Sequence, residues 1–312
     1  MTLAHTELPL VLAGPILRRL EARRIVLWLA TREPVRVRIT LDAGAGPTEH
    51  LLEPGTPACR HLKAGERLHY LLVDLALDDA LHAGQWIGWQ PALQPLADDD
   101  AAWQTWHEWA PDLCYPGHDS PGFVFAPQVK SLLHGSCRKP HFDGDDGLAE
   151  ADRLLARHLA ADATLTQGDG KLPAWPSALV LSGDQIYADD VAGPMLRAIH
   201  ALIARIGLPV ETLEGTEECG VADAEQLYAH PAGYYRRETL LPRRDKGNLK
   251  LVEILFGGVE KPVFTTDSAH NHLITLGEVL AMYLLAWSPA CWDGLDLTPP
   301  DTLDAASLAL YR

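Results

Sequence analysis

The sequence predicts an α+β protein whose N-terminal part is rich in β-strands and whose C-terminal part alternates strands with helices. Short apolar or alternating segments, separated by Gly- and Pro-containing turns, recur through the first ninety residues. Beyond about residue 129, short apolar runs alternate with longer segments that have helical periodicity. The length of 312 residues favours two domains, and 47% hydrophobic and 22% charged residues are ordinary for a globular protein.

Four strands are predicted in the N-terminal part because β-branched and aromatic residues are concentrated there or because apolar and polar residues alternate. The predicted strands cover residues 24–31, 34–41, 68–75 and 85–89. Turn-forming stretches at 42–47, 53–57 and 63–66 separate them. Short strands at this spacing predict a β-sandwich accessory domain over residues 1–95.

Residues 96–128 are predicted to form an ordered linker that packs its aromatic side chains between two domains. This stretch contains Trp103, Trp106 and Trp109, followed by a segment rich in Pro and Gly. Large aromatic side chains in such a pattern most often pack in a core or an interface. We therefore interpret the tryptophans as structural.

Residues 129–312 are predicted to form a second domain in which strands alternate with helices. The apolar run at 178–182 is typical of a strand buried in a sheet that is covered on both faces. Gly207 and Pro209 are expected to end a helix, and Asp301 is expected to cap the last one. The predicted strands are 129–134 and 178–182, and the predicted helices are 147–161, 194–206, 272–287 and 301–312.

The charge balance argues against partners with many phosphates. The formal net charge is −16, from 42 acidic and 26 basic residues. This average field disfavours nucleic acids and anionic membranes, although bound cations could still reverse it at one site. Two arginine pairs, at 236–237 and 243–244, could meet substrate phosphates but are expected to be ordinary solvated surface charges.

Several absences in the sequence favour a cytoplasmic protein. No apolar run reaches 18 residues, which predicts no membrane span, and the N-terminus lacks the pattern of a secretory signal. The five cysteines are scattered and include no Cys-x-x-Cys pair, which is typical of reduced thiols.

The first candidate for chemistry is Gly135-Ser136-Cys137, which follows a predicted strand. In open α/β sheets, ligands bind at the carboxyl ends of the strands. A thiolate at that edge could bind a metal or attack a substrate, although a buried structural cysteine is the simpler alternative. The chain lacks the Gly-rich turn ending in Arg that a cysteine phosphatase places after its nucleophile.

The second candidate is the segment Ser182-Gly-Asp-Gln-Ile-Tyr-Ala-Asp-Asp190, which also follows an apolar strand. The Asp184 carboxylate can face a hard cation, and a turn would bring the Tyr187 phenol near the same point. A thiolate, a phenolate and a carboxylate together favour ferric iron. The alternative is a capped strand-to-helix turn without a ligand. Asp189 and Asp190 are better explained as solvated residues at a helix start.

These segments resemble the alkaline phosphatase D (PhoD-like) family in order and spacing. The resemblance rests on the GSC and LSGDQIYADD segments, on the late helix from Asn271-His272 to Tyr283-Leu284, and on Gly14-Pro15 with the strand that includes Trp28. It implies a phosphoesterase with a calcineurin-like αββα sandwich after the β-sandwich domain. It also implies that Cys137 and Tyr187 ligate Fe3+, that Asp184 bridges to a divalent ion such as Ca2+, and that the substrate is a phosphate ester.

The sequence departs from this family in lacking the Asp-Asp-His segment and the later Asp, Asn and His motifs that complete its metal site. We therefore expect the chain to be the front portion of such an enzyme and to be inactive by itself. His270 and His272 could also be taken for a metal pair, but Asn271 and His272 match a helix start in the family. Two alternatives remain: a binding or structural protein that keeps half of a phosphatase fold, and a thiol enzyme that uses Cys137.

Overall fold

The computed structural model describes residues 7–44, 46–138, 145–160, 174–189, 191–216, 219–241 and 270–311. This part of the chain forms two compact units, one comprising Glu7–Gln185 and the other beginning at Ile186. Antiparallel sheets and separate helices make the protein α+β, as predicted.

The first antiparallel sheet has four strands in the order β1-β2-β6-β5. The sequence-based prediction found β2 and β6 but not β1 and β5. Three register shifts along β1 and the alternation of apolar with basic residues along β5 obscure the strand pattern there. The strands are β1 Val11–Glu21, β2 Arg24–Thr31, β5 Cys59–Gly65 and β6 Leu68–Ala76.

The second antiparallel sheet has the order β4-β3-β7-β8, and β9 also pairs with β7. Its strands are β3 Val35–Asp42, β4 Pro47–Leu52, β7 Trp86–Pro95, β8 Gln104–Thr105 and β9 Gly122–Val124. The predicted strands at 34–41 and 85–89 correspond to β3 and the first half of β7. Along β3, every second side chain is buried, which is the period expected when one face of a strand packs on a core.

The buried side chains of these two sheets form one hydrophobic cluster, which is the core of the first unit. The cluster takes Leu27 and Leu71 from one sheet and Ile39 and Leu93 from the other. Burying such a side chain fully stabilises the folded state by about 1.5 to 3 kcal/mol. The cluster therefore stabilises the packing of the two sheets against each other.

The segment predicted as a linker contributes to the second sheet, because β8 and β9 both pair with β7. The short helix α1, Trp106–Trp109, follows β8 directly. Trp106 is buried, Trp109 packs against the core, and the Arg38 guanidinium lies 4.5 Å from the centre of the Trp103 ring. The tryptophans thus pack within the first unit, and the domain boundaries at 95 and 128 stay a prediction.

A parallel pair of strands, β10 Leu133–Gly135 and β11 Leu179–Leu181, follows in the first unit, together with helix α2, Gly147–Ala160. Both strands are shorter than predicted. The expectation that the second would be buried on both faces is wrong, because Leu179 is 50% exposed and Val180 is 44% exposed. The physical reason is that only β10 pairs with β11 among the described strands.

The second unit is mainly helical in its described part. Its helices are α3 Gly193–Ile206, α4 Ala224–Ala229, α5 Leu276–Trp287 and α6 Ala305–Tyr311. As predicted, α3 ends at Gly207, whose φ of 63° is the left-handed conformation that glycine adopts easily. None of the described helices is long and apolar enough to span a membrane.

The last two helices begin later than the sequence pattern predicts. Thr275 caps α5: its hydroxyl accepts the Glu278 amide at 3.1 Å, and the Glu278 carboxylate accepts the Thr275 amide at 3.1 Å. At α6, the Asp304 carboxylate accepts the Ser307 amide at 2.8 Å. Asp304 therefore takes the place predicted for Asp301, since a cap must lie three residues before the amide it binds.

Candidate metal centre

The parallel pair places the two candidate segments side by side. Leu133 pairs with Leu179 and Gly135 with Leu181, so that both strands end at the same edge. Backbone hydrogen bonds continue past this edge. The Cys137 amide donates to the Gly183 carbonyl at 3.1 Å, and the Arg138 amide donates to the Asp184 carbonyl at 2.8 Å. The sequence-based expectation that these two segments leave neighbouring strands is confirmed.

The side chains of Cys137 and Asp184 meet beyond the strand ends. The Cys137 thiol donates to Oδ2 of Asp184 across 3.6 Å, and both residues are exposed. Both also have positive φ angles, 58° for Cys137 and 46° for Asp184. Non-glycine residues rarely adopt this conformation, which costs energy and is concentrated at functional sites. The backbone hydrogen bonds between the two segments hold both residues in it.

Polar side chains surround this contact. The Ser136 hydroxyl lies 3.4 Å from the Cys137 sulfur, and Nε2 of Gln185 donates to the Gly183 carbonyl at 2.6 Å. Nε2 of His134 lies 2.9 Å from the Ser182 hydroxyl. These contacts orient the residues after the two strands. They leave the Cys137 sulfur and the Asp184 carboxylate able to bind a further group.

The nearest cation along the chain is Arg138, which forms an ion pair with Asp146 at 3.0 Å. Burial tends to raise the pKa of Asp146, but the Leu148 amide and the Arg138 guanidinium outweigh burial and lower it. Asp146 therefore remains a carboxylate and neutralises Arg138 next to the thiol.

The third predicted ligand, Tyr187, is half-buried and belongs to the unit that begins at Ile186. The structure thus brings Cys137 and Asp184 together, whereas the role of Tyr187 stays a prediction. Asp189 is half-buried, and Asp190 lies outside the described residues. Within the described ranges, no group of three or more His, Cys, Asp or Glu side chains is arranged to hold one metal ion.

The histidines near residue 271 have other partners. Nδ1 of His270 lies 2.9 Å from the Glu238 carboxylate, and the buried Asn271 amide donates to the Val191 carbonyl. Nδ1 of His272 lies 2.5 Å from the Leu273 carbonyl. Among the described residues, these contacts favour a structural role for the segment before α5.

A buried polar cluster in the second unit was not predicted from the sequence. Arg237 and Glu278 are both 0% exposed, and their ion pair measures 2.6 Å. Nε2 of His200 lies 2.8 Å from the same carboxylate oxygen, and Nδ1 lies 3.1 Å from the Tyr234 hydroxyl. The expectation that Arg237 is a solvated surface charge is therefore wrong, whereas its neighbour Arg236 is exposed as expected. Arg243 and Arg244 lie outside the described residues.

The electrostatics of this cluster assign its protonation states. Burial raises the pKa of Glu278, but Arg237 and His200 outweigh burial and hold it well below its usual range. Burial lowers the pKa of His200 more than Glu278 raises it, so His200 is neutral at neutral pH. Its Nε2–H then donates to Glu278, and its Nδ1 accepts from Tyr234, whose pKa burial raises to about 12. Glu278 is the only anion in this set of four side chains.

A pair of histidines, His61 and His69, lies on the core side of the first sheet. Nε2 of His61 on β5 and Nδ1 of His69 on β6 are 2.8 Å apart, and the two rings are nearly parallel. His69 is buried, and burial, followed by the neighbouring His61, lowers its pKa. Only one of the two facing nitrogens needs to carry a proton for this hydrogen bond, so a second proton is disfavoured.

Neither a scan against models of protein families nor a search of curated proteins finds a match for this sequence.

Proposed function

We propose that the chain carries part of the metal site of a phosphoesterase that resembles the PhoD-like family, with Cys137 and Asp184 as ligands of ferric iron. The observation that carries this proposal is the 3.6 Å separation of the Cys137 sulfur and the Asp184 carboxylate at the carboxyl edge of β10 and β11. Two exposed ligand types meet there on residues with positive φ angles.

The separation of the two side chains fits a shared cation. With metal–sulfur and metal–oxygen bonds of about 2.3 and 2.1 Å, two ligands of one ion lie roughly 3.1 to 3.6 Å apart, depending on the coordination angle. The observed 3.6 Å needs no movement of the backbone to meet the upper value. Tyr187 would provide a phenolate as the third ligand, and Asp184 would bridge to a divalent ion, for which we propose Ca2+.

We further propose the folds that this function implies. The two antiparallel sheets with their common core would be the β-sandwich accessory domain. The elements β10, α2 and β11 would belong to a calcineurin-like αββα sandwich, because parallel strands with a connecting helix are the units from which such layers are built.

The proposed reaction is the hydrolysis of a phosphate ester. Bound metal ions supply Lewis acidity, by which they stabilise negative charge on phosphoryl oxygens and lower the pKa of a bound water. The residues of this chain bind and orient: Cys137 and Asp184 fix the position of the cation. Arg138 lies next to them as a guanidinium already neutralised by Asp146, so that the cation provides the positive charge a phosphate requires.

Metal analysis of variants tests this proposal. We expect the purified protein, reconstituted with ferric iron, to retain about one iron per chain and to show visible absorption from charge transfer between thiolate and iron. Cys137→Ser and Asp184→Asn should each lose most of the iron. Cys219→Ser, a half-buried cysteine of the other unit, is the matched control and should retain it. Full iron retention by Cys137→Ser would refute the proposed site.

Tyr187 is tested separately because its position relative to the other ligands is a prediction. Tyr187→Phe removes only the phenol oxygen. If that oxygen binds iron, the variant should bind iron more weakly and lose the phenolate part of the visible absorption. Unchanged affinity and an unchanged spectrum would remove Tyr187 from the ligand set while leaving Cys137 and Asp184 in it.

A further inference from the structure

A cavity of about 630 Å³ lies in the first unit between α2 and the parallel pair of strands. This volume is within the range of about 300 to 1,000 Å³ that is typical of small-molecule sites. Its lining combines an apolar part with polar and charged side chains. The apolar lining consists of Leu148, Ala151 and Leu154 from α2 and Leu133, Leu179 and Leu181 from the strands.

One end of this cavity reaches the candidate metal centre. Cys137, Arg138 and Gln185 line the same space as the apolar side chains. The Cys137 sulfur contacts the Asp184 carboxylate. A molecule in the cavity would therefore have its apolar part between α2 and the strands and its other end beside the thiol.

The sequence of α2 explains why part of the cavity wall is apolar. Leu148, Ala151 and Leu154 follow one another at intervals of three residues and therefore lie on one helical face. In a packed layer this face would touch the strands and be buried. Here Leu148, Ala151 and Leu154 are half-buried, and among the described residues the space between them and the strands is open.

Several of the charged side chains at the cavity form ion pairs with each other. Glu150 accepts hydrogen bonds from Arg157 at 3.0 Å and from Arg153 at 2.7 Å, and Arg138 binds Asp146. An ion that entered the apolar part would therefore have to compete with existing pairs. A polyol or sugar would lose hydrogen bonds to water without gaining partners from leucine side chains. An aromatic or branched aliphatic group fits the apolar part of this lining best.

We propose that this cavity receives the apolar organic group of the ester, an aryl or branched alkyl group, while the phosphoryl group lies at Cys137 and Asp184. The proposal rests on the proposed function for the position of the phosphoryl group. The binding of the apolar group itself depends only on α2 and the strands, so that it can be measured without any metal.

The test is a titration of the metal-free protein with 1-naphthol, which corresponds to the alcohol of an aryl ester, followed by its fluorescence. We expect saturable binding, and at least tenfold weaker binding by Ala151→Trp, whose indole would fill the cavity. Ala149→Trp is the matched control, because Ala149 is exposed on the same helix and does not line the cavity. Glycerol at the same concentration should not compete with 1-naphthol.

The outcomes separate this proposal from that of the metal site. Asp184→Asn, a variant at a residue that does not line the cavity, should bind 1-naphthol normally even though it is expected to lose iron. Absence of saturable binding to the natural sequence, or equal affinities of Ala151→Trp and Ala149→Trp, would overturn the cavity proposal whatever the iron content. If Ala151→Trp does not fold, as judged by circular dichroism, Leu154→Asn is used with the same expectation of at least tenfold weaker binding.

Discussion

Replacing Arg237 with methionine is expected to destabilise the unit that begins at Ile186 by about 3 to 5 kcal/mol. Arg237 and Glu278 are both inaccessible to solvent, and 2.6 Å separates the guanidinium from the carboxylate. Methionine approximates the length of the arginine stem, so that the substitution removes mainly the charge and its hydrogen bonds.

The magnitude follows from the hydrogen bonds that Glu278 would keep after the substitution. Its carboxylate would still accept the backbone amides of Ile274 and Thr275, at 2.7 and 3.1 Å, and the His200 ring at 2.8 Å. It would lose its only arginine partner among the described residues while remaining 0% exposed. A buried charge that loses its partner carries the desolvation cost without the compensating attraction, which gives the upper part of the range above.

Arg236→Met is the matched control, because Arg236 precedes Arg237 and also forms an ion pair. Its pair with Asp304 is almost as short, at 2.7 Å, but both side chains are about half exposed. Solvent screens such a pair, so we expect little change in stability. The assay is urea unfolding combined with hydrogen exchange read from peptides of α3 and α5, because the two units need not unfold together.

Two results would refute this reasoning. If Arg237→Met lost no more stability than Arg236→Met, burial would not set the strength of the pair. The double variant Arg237→Met with Glu278→Leu removes both charges and should recover part of the loss. If the double variant were less stable than Arg237→Met by the whole loss that Glu278→Leu causes alone, the two charges would act independently.

Two further predictions concern the first unit. Because burial keeps the pKa of His69 below its unfolded value of about 6.5, the unfolded chain takes up more protons as the pH falls, and stability should decrease from pH 6.5 towards the lower, folded pKa. Replacing His69 with Gln should weaken the dependence of the urea midpoint on pH between pH 7.5 and 5.5. An unchanged pH dependence would contradict the pairing with His61. Cys137, which is exposed, should react at least tenfold faster with a disulfide reagent than the buried Cys59, whose pKa burial raises to about 11. A fast phase that persists in Cys137→Ser would refute that assignment.

Local sequence features predicted the elements whose determinants lie within one segment. The alternation along β3 and the glycine after α3 each need only a few neighbouring residues, and both elements lie where the sequence placed them. The start of α5 was misplaced by four residues, because the apolar pattern extends to His272 while the cap is Thr275. The capping box Thr275–Glu278 is a local signal that could have located it.

The candidate site was predictable in part for a related reason. The apolar runs before Gly135 and before Gly183 indicated two strands. Because parallel strands end at a common edge, the sequence predicted that Cys137 and Asp184 lie close together. Their positive φ angles and their 3.6 Å separation depend on hydrogen bonds between segments about 47 residues apart. No local pattern encodes those bonds.

The sequence by itself determined the α+β class, the strands β2, β3 and β6 of the first core, and the positions of Cys137 and Asp184 just after two strands, because each follows from the periodicity or position of residues in one or two segments. Only the tertiary structure decided that Arg237 is buried and Arg236 exposed, and that β11 is open to solvent. The physical reason is that burial depends on what packs against a residue. For Arg237 the partner is a carboxylate 41 residues away in the chain.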